Sequence, residues 1–531
     1  VLDIAMPVSW DITTRLMKSG AGTLIMRSGT LPFTDARNTF YLSEGTWEIG
    51  GSAILNGSAT PTILIGSGAL FRYNTSADST INGVIQGLGA VAVTGSGKLT
   101  LVGSNTHTGG TTVSAGTLAI GAGGASGSVA GNIVNNATVT FNRTGSLTYA
   151  GVISGTGVVT TVGSGTITLT GNNTYSGGTT VTAGTLSTGA ASLTTPVFGI
   201  EAVTVNSGAT LSLDRSTLSN SLILNGGTLV GTNGFGEIWS GPIALNANST
   251  VNVGFSMNFS NVVSGSATLT KIGNGALTLS GTNTYTGPTT VNAGSIVLGS
   301  ANALGRTSVL ALASGATINL NGRTLAVASL SLNGVVQAQG TYTAATNPTY
   351  FTGSGALQAG YPATVSAPAT FSVTEDTSGN LTFTGTPFAD DDSSTLTITL
   401  AISDGTISAT TGGGVTVGGT AVSRTFSGTV AALNTFFTTA GSITYLGATN
   451  NVTARTLTTT ASDGVFSTNT TSTINFTAVN DAPAFGSTTV NATGGTITTS
   501  GTDVIHTFIN AGASTFTPAN AMTVDVLVVG G

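Results

Sequence analysis

Gly95-Ser-Gly-Lys-Leu-Thr-Leu-Val-Gly-Ser-Asn-Thr-His-Thr-Gly-Gly-Thr-Thr-Val-Ser-Ala-Gly-Thr-Leu118 returns twice in this chain. The later copies are Gly163-Ser-Gly-Thr-Ile-Thr-Leu-Thr-Gly-Asn-Asn-Thr-Tyr-Ser-Gly-Gly-Thr-Thr-Val-Thr-Ala-Gly-Thr-Leu186 and Gly273-Asn-Gly-Ala-Leu-Thr-Leu-Ser-Gly-Thr-Asn-Thr-Tyr-Thr-Gly-Pro-Thr-Thr-Val-Asn-Ala-Gly-Ser-Ile296. Inside each copy, apolar and hydroxyl residues alternate with period two, as in Lys98-Leu-Thr-Leu-Val102, which is the signature of a strand. Ser104-Asn105-Thr106 and Thr108-Gly109-Gly110 read as turn material. Thr111-Thr-Val113 and Gly116-Thr-Leu-Ala-Ile120 supply a second and a third short strand. Strands this short cannot bury themselves in one wide sheet. Stacked coil on coil they can, because each turn pairs its backbone with the turns on either side.

The copies begin at 95, 163 and 273, spaced 68 and 110 residues apart. Unequal spacing excludes a strict propeller or ankyrin-like array. With coils of roughly 20 to 25 residues, the spacings correspond to about three and about five coils. Degenerate coils fill the intervals, as in Gly83-Val-Ile-Gln-Gly-Leu-Gly89 and Gly315-Ala-Thr-Ile-Asn-Leu320. About fifteen coils at roughly 4.8 Å each give a rod on the order of 70 Å long. Asn105, Asn173 and Asn283 occupy matching positions, and two readings fit them: amides stacked in a ladder along one edge, or an Asx-turn that repeats because the coil repeats. His107 aligns with Tyr175 and Tyr285, which marks it as a variant of a repeat slot rather than a metal ligand.

Composition agrees with a folded, sheet-rich chain. Of 531 residues, 13 are Lys or Arg and 19 are Asp or Glu, giving a formal net charge of −6. Glycine, at 77 residues, is about double its usual share of roughly 7%. Disorder combines low hydrophobicity with high charge, whereas 40% of this chain is hydrophobic. The scarcity of Lys and Arg leaves no electrostatic footprint for nucleic acid and no basic patch for anionic lipid. No apolar run reaches the length of a membrane-spanning helix. Cysteine is absent, which removes disulfides, zinc thiolates and thiol catalysis together. Both ends, Val1 and Val528-Val-Gly-Gly531, read as cut, so a piece of a longer protein is expected.

The repeated phrase resembles the autotransporter-associated β-strand repeat, also called the passenger-associated transport repeat. The matching core is Leu99-Thr-Leu, Asn105-Thr-His-Thr-Gly-Gly-Thr-Thr-Val and Ala115-Gly-Thr-Leu, with its counterparts in the other two copies. The resemblance implies a right-handed parallel β-helix over residues 1–360, in a secreted or surface-displayed bacterial protein.

Gly360-Tyr-Pro-Ala-Thr-Val-Ser-Ala-Pro368 reads as a boundary, beyond which strands lengthen and acids cluster. Residues 365–483, with some seven alternating strands, fit a β-sandwich. This segment resembles the cadherin-like and immunoglobulin-like modules of large bacterial adhesins, through Val373-Thr-Glu-Asp376, Phe388-Ala-Asp-Asp-Asp392, Ser403-Asp-Gly405, Ser462-Asp-Gly464 and Ala478-Val-Asn-Asp-Ala-Pro483. The resemblance implies calcium where modules join. Calcium takes about six to eight hard oxygens, and Glu375, Asp390, Asp392, Asn480 and Asp481 are the candidate ligands, with Asp391 or Asp463 as substitutes. The alternative reading makes these acids solvated turn residues. Residues 484–531 read as a truncated glycine-rich β domain, with strands at Gly494-Gly-Thr-Ile-Thr-Thr, Asp503-Val-Ile-His-Thr-Phe508 and Thr523-Val-Asp-Val-Leu-Val-Val529.

Catalytic constellations are missing. His107 and His506 are the only histidines, so no serine or threonine has an obvious base. No glycine-rich string carries a phosphate-loop lysine or opens a helix. A glycosidase needs two carboxylates across a groove, and Asp214 with Glu237 is the least poor pair. Trp10, Trp47 and Trp239 could face sugars, though hydrophobic packing suits them better. The expected architecture is all-β: a parallel β-helix, a β-sandwich and a partial β-rich domain. The expected function is a non-enzymatic surface adhesin or stalk that displays binding modules to a cell-surface or matrix ligand, glycan or protein. A self-associating fibre, sheath or phage-tail-like subunit is the first alternative. A polysaccharide-active β-helix enzyme is the second.

Overall fold

The computed structural model describes residues 2–5, 16–32, 39–56, 60–189, 197–214, 216–231, 236–305, 309–390, 393–464 and 466–479, and short strands at 492–493, 496–500, 503–507 and 517–518. Its first part is a parallel solenoid. Strands fall in rotation on three faces, one strand per face in each coil. Lys98–Leu101, Thr117–Ile120, Thr138–Phe141 and Val158–Thr161 are successive neighbours on one face, while Ala90–Val93, Thr111–Val113, Ile133–Asn135 and Ile153–Ser154 succeed one another on another. All of these pairings are parallel, and the register advances by 19 to 22 residues per coil, as from Lys98 to Thr117 and from Val91 to Thr111 to Ile133 to Ile153.

The period-two pattern acts through this register. On one long sheet Ile167, Leu186, Leu211, Leu229, Val251, Lys271, Val291, Leu312 and Leu332 stack in one inward column. Burying each aliphatic member contributes roughly 1.5 to 3 kcal/mol. One residue earlier on each strand, Thr166, Thr185, Thr210, Thr228, Thr250, Thr270 and Thr290 form the outward column, where β-branched side chains suit the pleated surface. The inward residues belong to one continuous core that runs from Phe40 to Ala359. Trp47 and Trp239 lie fully inside it, with Trp47 stacked on Phe40 and tilted against Phe71. Trp10 lies outside the described residues.

Corners are where glycine is required. Gly184, in the Ala-Gly corner of the second copy, has φ +67°, and a Cβ there would stand 2.4 Å from the Gly163 carbonyl oxygen and 2.5 Å from that of Gly165. Gly116 and Gly294 repeat this geometry in the other copies, with φ of +64° and +68°. After the first copy, Arg143 holds the loop at 121–127 from within, donating to the carbonyls of Gly127, Ala125 and Ser146.

A second core, from Ala363 to Ile474, organises a six-stranded sheet facing a three-stranded one. The large sheet places Thr370–Thr374 beside Ser467–Thr477, then Arg455–Ser462, Thr395–Ala401, Ser423–Thr429 and Val415–Thr420. A helix, Val430–Thr438, interrupts the strands. Its N-cap Thr429 accepts a hydrogen bond from the Ala432 N–H, and Leu433 and Phe437, one helical turn apart, are buried. Phe437 packs edge-on against Phe383, Phe388 and Phe426. Farther on, Thr496–Ser500 and Asp503–Thr507 pair as an antiparallel hairpin. The Thr523–Val529 run lies outside the described residues.

Because Gly184 combines left-handed backbone with carbonyl contact, Gly184→Ala should lower solenoid stability by more than about 2 kcal/mol. Gly124 has open space around its Cα, so Gly124→Ala should be neutral or stabilise by up to about 1 kcal/mol. Urea melts of the two variants check this contrast.

Candidate functional site

The features that single out this chain are the three repeat copies and the acids of the sandwich. Each copy enters on a different face. The strand Lys98–Leu101 of the first copy, Thr166–Leu169 of the second and Ala276–Leu279 of the third belong to three different sheets. The unequal spacings of 68 and 110 residues are therefore three coils plus one face and five coils plus one face.

Each copy also ends a sheet. The sheets that close with Val84–Gly87, Ile153–Ser154 and Val263–Gly265 each meet a repeat asparagine in the next coil. Asn105 Oδ1 accepts from the Ile85 N–H at 2.9 Å, Asn173 Oδ1 from Ile153 at 2.7 Å and Asn283 Oδ1 from Val263 at 2.7 Å. On the far side, Asn105 Nδ2 donates to Ser128 O at 2.9 Å, Asn173 Nδ2 to Val197 O at 2.6 Å and Asn283 Nδ2 to Ala303 O at 2.6 Å. The side-chain amide thus stands in for a peptide unit, accepting from one coil and donating to the next. All three asparagines are buried, where an unpaired amide would cost the full desolvation penalty. Neither reading made from the sequence describes this. The copies lie coils apart on separate faces, so their amides do not stack on one another. Their bonds also run between coils, with one local addition, Asn105 Nδ2 donating to the Gly103 carbonyl oxygen at 2.9 Å.

Two residues on, the repeat slot is fully buried. Tyr175 O–H and Thr179 Oγ1 lie 2.6 Å apart, Tyr285 and Thr289 2.9 Å apart, and His107 Nε2 lies 2.8 Å from Thr111 Oγ1. Burial depresses the His107 pKa to about 4 and raises those of Tyr175 and Tyr285. All three residues are spent on packing and one buried hydrogen bond, and His107 is a variant of the tyrosine slot.

Lys271 was invisible to the alternation pattern. It sits in the aliphatic column, between Val251 and Val291, and is fully buried. Its ammonium donates to the carbonyls of Ile272 (3.0 Å), Gly273 (2.6 Å) and Ala293 (3.0 Å) at the coil corner, and burial lowers its pKa to about 8. The carboxylate pair proposed for glycan cleavage does not form a groove. Glu237 is 1% exposed and lies beneath Gly231, whereas Asp214 is half-buried with its N–H donating to Thr188 Oγ1.

In the sandwich, the candidate calcium ligands separate. Glu375 follows the strand Thr370–Thr374, whose Thr374 pairs with Thr477, and its Oε2 accepts from the Val479 N–H at 3.3 Å. Asp390 precedes Thr395–Ala401, whose Thr397 pairs with Ser462, itself paired with Ser467. Ser467 and Thr477 are the two ends of one strand, roughly 30 Å apart at extended spacing. Asp390 Oδ1 accepts from the Ser393 N–H at 2.8 Å and Asp463 Oδ1 from Phe466 at 2.6 Å, both in turn geometry. Asp404, from the Ser403-Asp-Gly405 phrase, is committed elsewhere: its Oδ1 takes the Arg455 Nε–H at 2.7 Å, and Arg455 holds its carboxyl below the usual range. Asp391, Asp392, Asn480 and Asp481 lie outside the described residues. Among the described residues, no three His or acidic side chains gather as a metal site, and no helix is long and apolar enough to cross a membrane.

Comparison with known proteins identifies the repeat. The passenger-associated-transport-repeat family matches residues 92–120, 159–187 and 269–298, which are the three copies. A 179-residue stretch is 33% identical to the adhesin BmaC autotransporter of Brucella suis biovar 1 (strain 1330). That stretch is 33% of this chain and 5% of the relative's length. No solved structure matches the chain.

The His107 geometry sets a pH dependence. The folded pKa of about 4 lies below the ordinary 6.5, so the unfolded chain binds the proton first as pH falls. Stability is full above about 6.5 and falls as pH drops toward about 4, by on the order of 3 kcal/mol. His107→Tyr, which installs the residue of the other copies, should remove that component, read as the difference between the two proteins' melting temperatures from pH 7 to pH 4.

Proposed function

We propose that this chain is a section of a bacterial surface adhesin in which a β-solenoid extends or displays binding modules outside the cell. It performs no chemistry of its own. One observation carries the reading: the buried polar side chains that recur in every copy are consumed inside the solenoid, Asn105, Asn173 and Asn283 as coil-to-coil ties and the His107, Tyr175 and Tyr285 slot in one buried bond to a threonine. A repeat whose buried polar groups are spent on scaffold serves reach and rigidity, not turnover. The similarity to a segment of an adhesin supports the adhesive role, and the repeat family supports export to the surface. Recognition of a cell-surface or matrix ligand, glycan or protein, then falls to outward faces and loops, since a repeat specifies a scaffold and not a ligand. The test is adhesion itself. Beads coated with the full chain should be retained on cultured cells or matrix-coated surfaces several-fold above beads coated with an unrelated protein. Retention equal to that control on every surface would remove the adhesive role.

We infer in addition that calcium stiffens the sandwich at the Glu375 end, with Asn480 and Asp481 as companion ligands. Asp390 and Asp463 lie toward the other end of the large sheet, and Asp391 and Asp392 follow Asp390 in the sequence. A buried carboxylate with one oxygen already engaged supports this reading, and it supplies only part of the hard-oxygen shell that calcium needs. Micromolar to millimolar calcium should raise the melting temperature of the full chain's sandwich transition, with magnesium inert, and Glu375→Gln should abolish the rise. No shift with calcium would leave these acids as turn residues.

A further inference from the structure

We propose that the glycine corner of the repeat is a cation seat, and that the first and second copies fill it with a monovalent ion from solution, potassium or ammonium. The third copy sets the pattern. Lys271 Nζ donates to the carbonyls of the next two residues, Ile272 and Gly273, and to that of Ala293, just before the corner glycine Gly294. The same seat is built once more, ahead of the first copy. Lys18 Nζ donates to the carbonyls of the next two residues, Ser19 (3.2 Å) and Gly20 (2.6 Å), and to that of Glu44 (3.2 Å), just before Gly45.

The backbone of this corner is common to all four places. The residue at the lysine position accepts from the next coil: Lys18 from Ser43, Val93 from Ser114, Thr161 from Thr182 and Lys271 from Asn292, at 2.8 to 2.9 Å. Four residues on, Gly22, Gly97, Gly165 and Gly275 accept from Thr46, Thr117, Thr185 and Ser295, at 3.0 to 3.3 Å. The corner glycines Gly45, Gly116, Gly184 and Gly294 share φ of +64° to +72°. The three seat carbonyls are main-chain groups of this frame. In the first copy they belong to Thr94, Gly95 and Ala115, and in the second to Val162, Gly163 and Ala183.

What differs is the side chain. Val93 carries no donor, and Thr161 has one hydroxyl, 3.4 Å from the Ala183 carbonyl oxygen. Neither can replace an ammonium, which brings three donors. Among the described residues, no N–H donates to the carbonyls of Thr94, Gly95, Ala115, Val162 or Gly163. The kind of ion follows from the ligands. They are neutral carbonyls with no carboxylate among them, and the group they hold in the third copy carries a single charge. Calcium takes about six to eight oxygens and draws on carboxylates, while magnesium demands a near-ideal octahedron. Potassium is held by backbone carbonyls that replace its water, and it is close to an ammonium group in size. Water completes the shell on the outer side of the corner.

Melting of the full chain is compared in potassium chloride and in choline chloride at equal concentration, choline being too large to sit between the three carbonyls. The unmodified protein should melt about 2 °C or more higher in potassium. Val93→Lys combined with Thr161→Lys gives both seats the side chain of the third copy, and that variant should melt at the same temperature in the two salts. Equal melting of the unmodified protein in both salts would overturn the proposal. A potassium shift of the same size in the double variant would overturn it too, as a general salt effect. Thallium(I), standing in for potassium, reads binding on the unmodified protein, which decides the matter even if the double variant fails to fold. In nitrate solution its NMR line should broaden with the protein and sharpen again on adding potassium but not choline. A thallium line that the protein leaves sharp would remove the seat.

Discussion

The parallel backbone ladder between coils is the constraint on which this molecule depends. Strands on a face are held at about 4.8 Å, so every side chain is stacked on its counterpart one coil away. A residue type tolerated once must be tolerated in a column. This explains the composition better than any single contact does. Charges stacked at that spacing would repel, and bulky side chains at a corner would strike the carbonyls below. Threonine outward, aliphatic residues inward and glycine at the corner satisfy the column rule, and they are what the chain is made of.

The repeat is best understood as the place where the ladder is handed over rather than continued. A sheet that simply stopped would leave buried N–H and C=O groups unpaired, at a cost comparable to a lost hydrogen bond for each. A primary amide carries both a donor and an acceptor, so asparagine can close one sheet and reach the coil beyond it. Asp, Ser or Thr could not do both at neutral pH with the same reach. The ammonium of Lys271 solves a related problem by another route, satisfying three corner carbonyls from within an aliphatic column. Its charge has no acidic partner among those contacts, and backbone dipoles alone hold it.

Much of this was legible in the sequence because the copies are long and nearly identical. Period-two alternation gave the strands, and three copies gave a stacked solenoid. The rotation of copies around the faces was not legible. It depends on the length of the degenerate coils between copies, and those coils carry no phrase of their own. The role of Asn105, Asn173 and Asn283 was hidden for the same reason, since their partners Ile85, Ile153 and Val263 lie a coil earlier in unremarkable strands. Glu237 and Lys271 sit at inward positions where alternation predicts an apolar side chain, and only the packed structure shows which way they point. The helix Val430–Thr438 did carry a signal, a threonine cap followed by Val430, Leu433 and Phe437 at helical spacing. It was masked by β-branched neighbours on both sides. The acids of the sandwich looked like one group in the sequence because turns bring Asp into short phrases, whereas strand register separates Glu375 from Asp390.

Placing one copy on each face has a consequence for bending. A slender beam whose sheet junctions all fell on the same side would have one side built differently from the others, and so a distinguished plane of flexure. Here the asparagine junctions are shared among the three sides of the cross-section, at different heights. Whatever they add to or take from compliance is averaged around the axis, and they single out no plane of flexure.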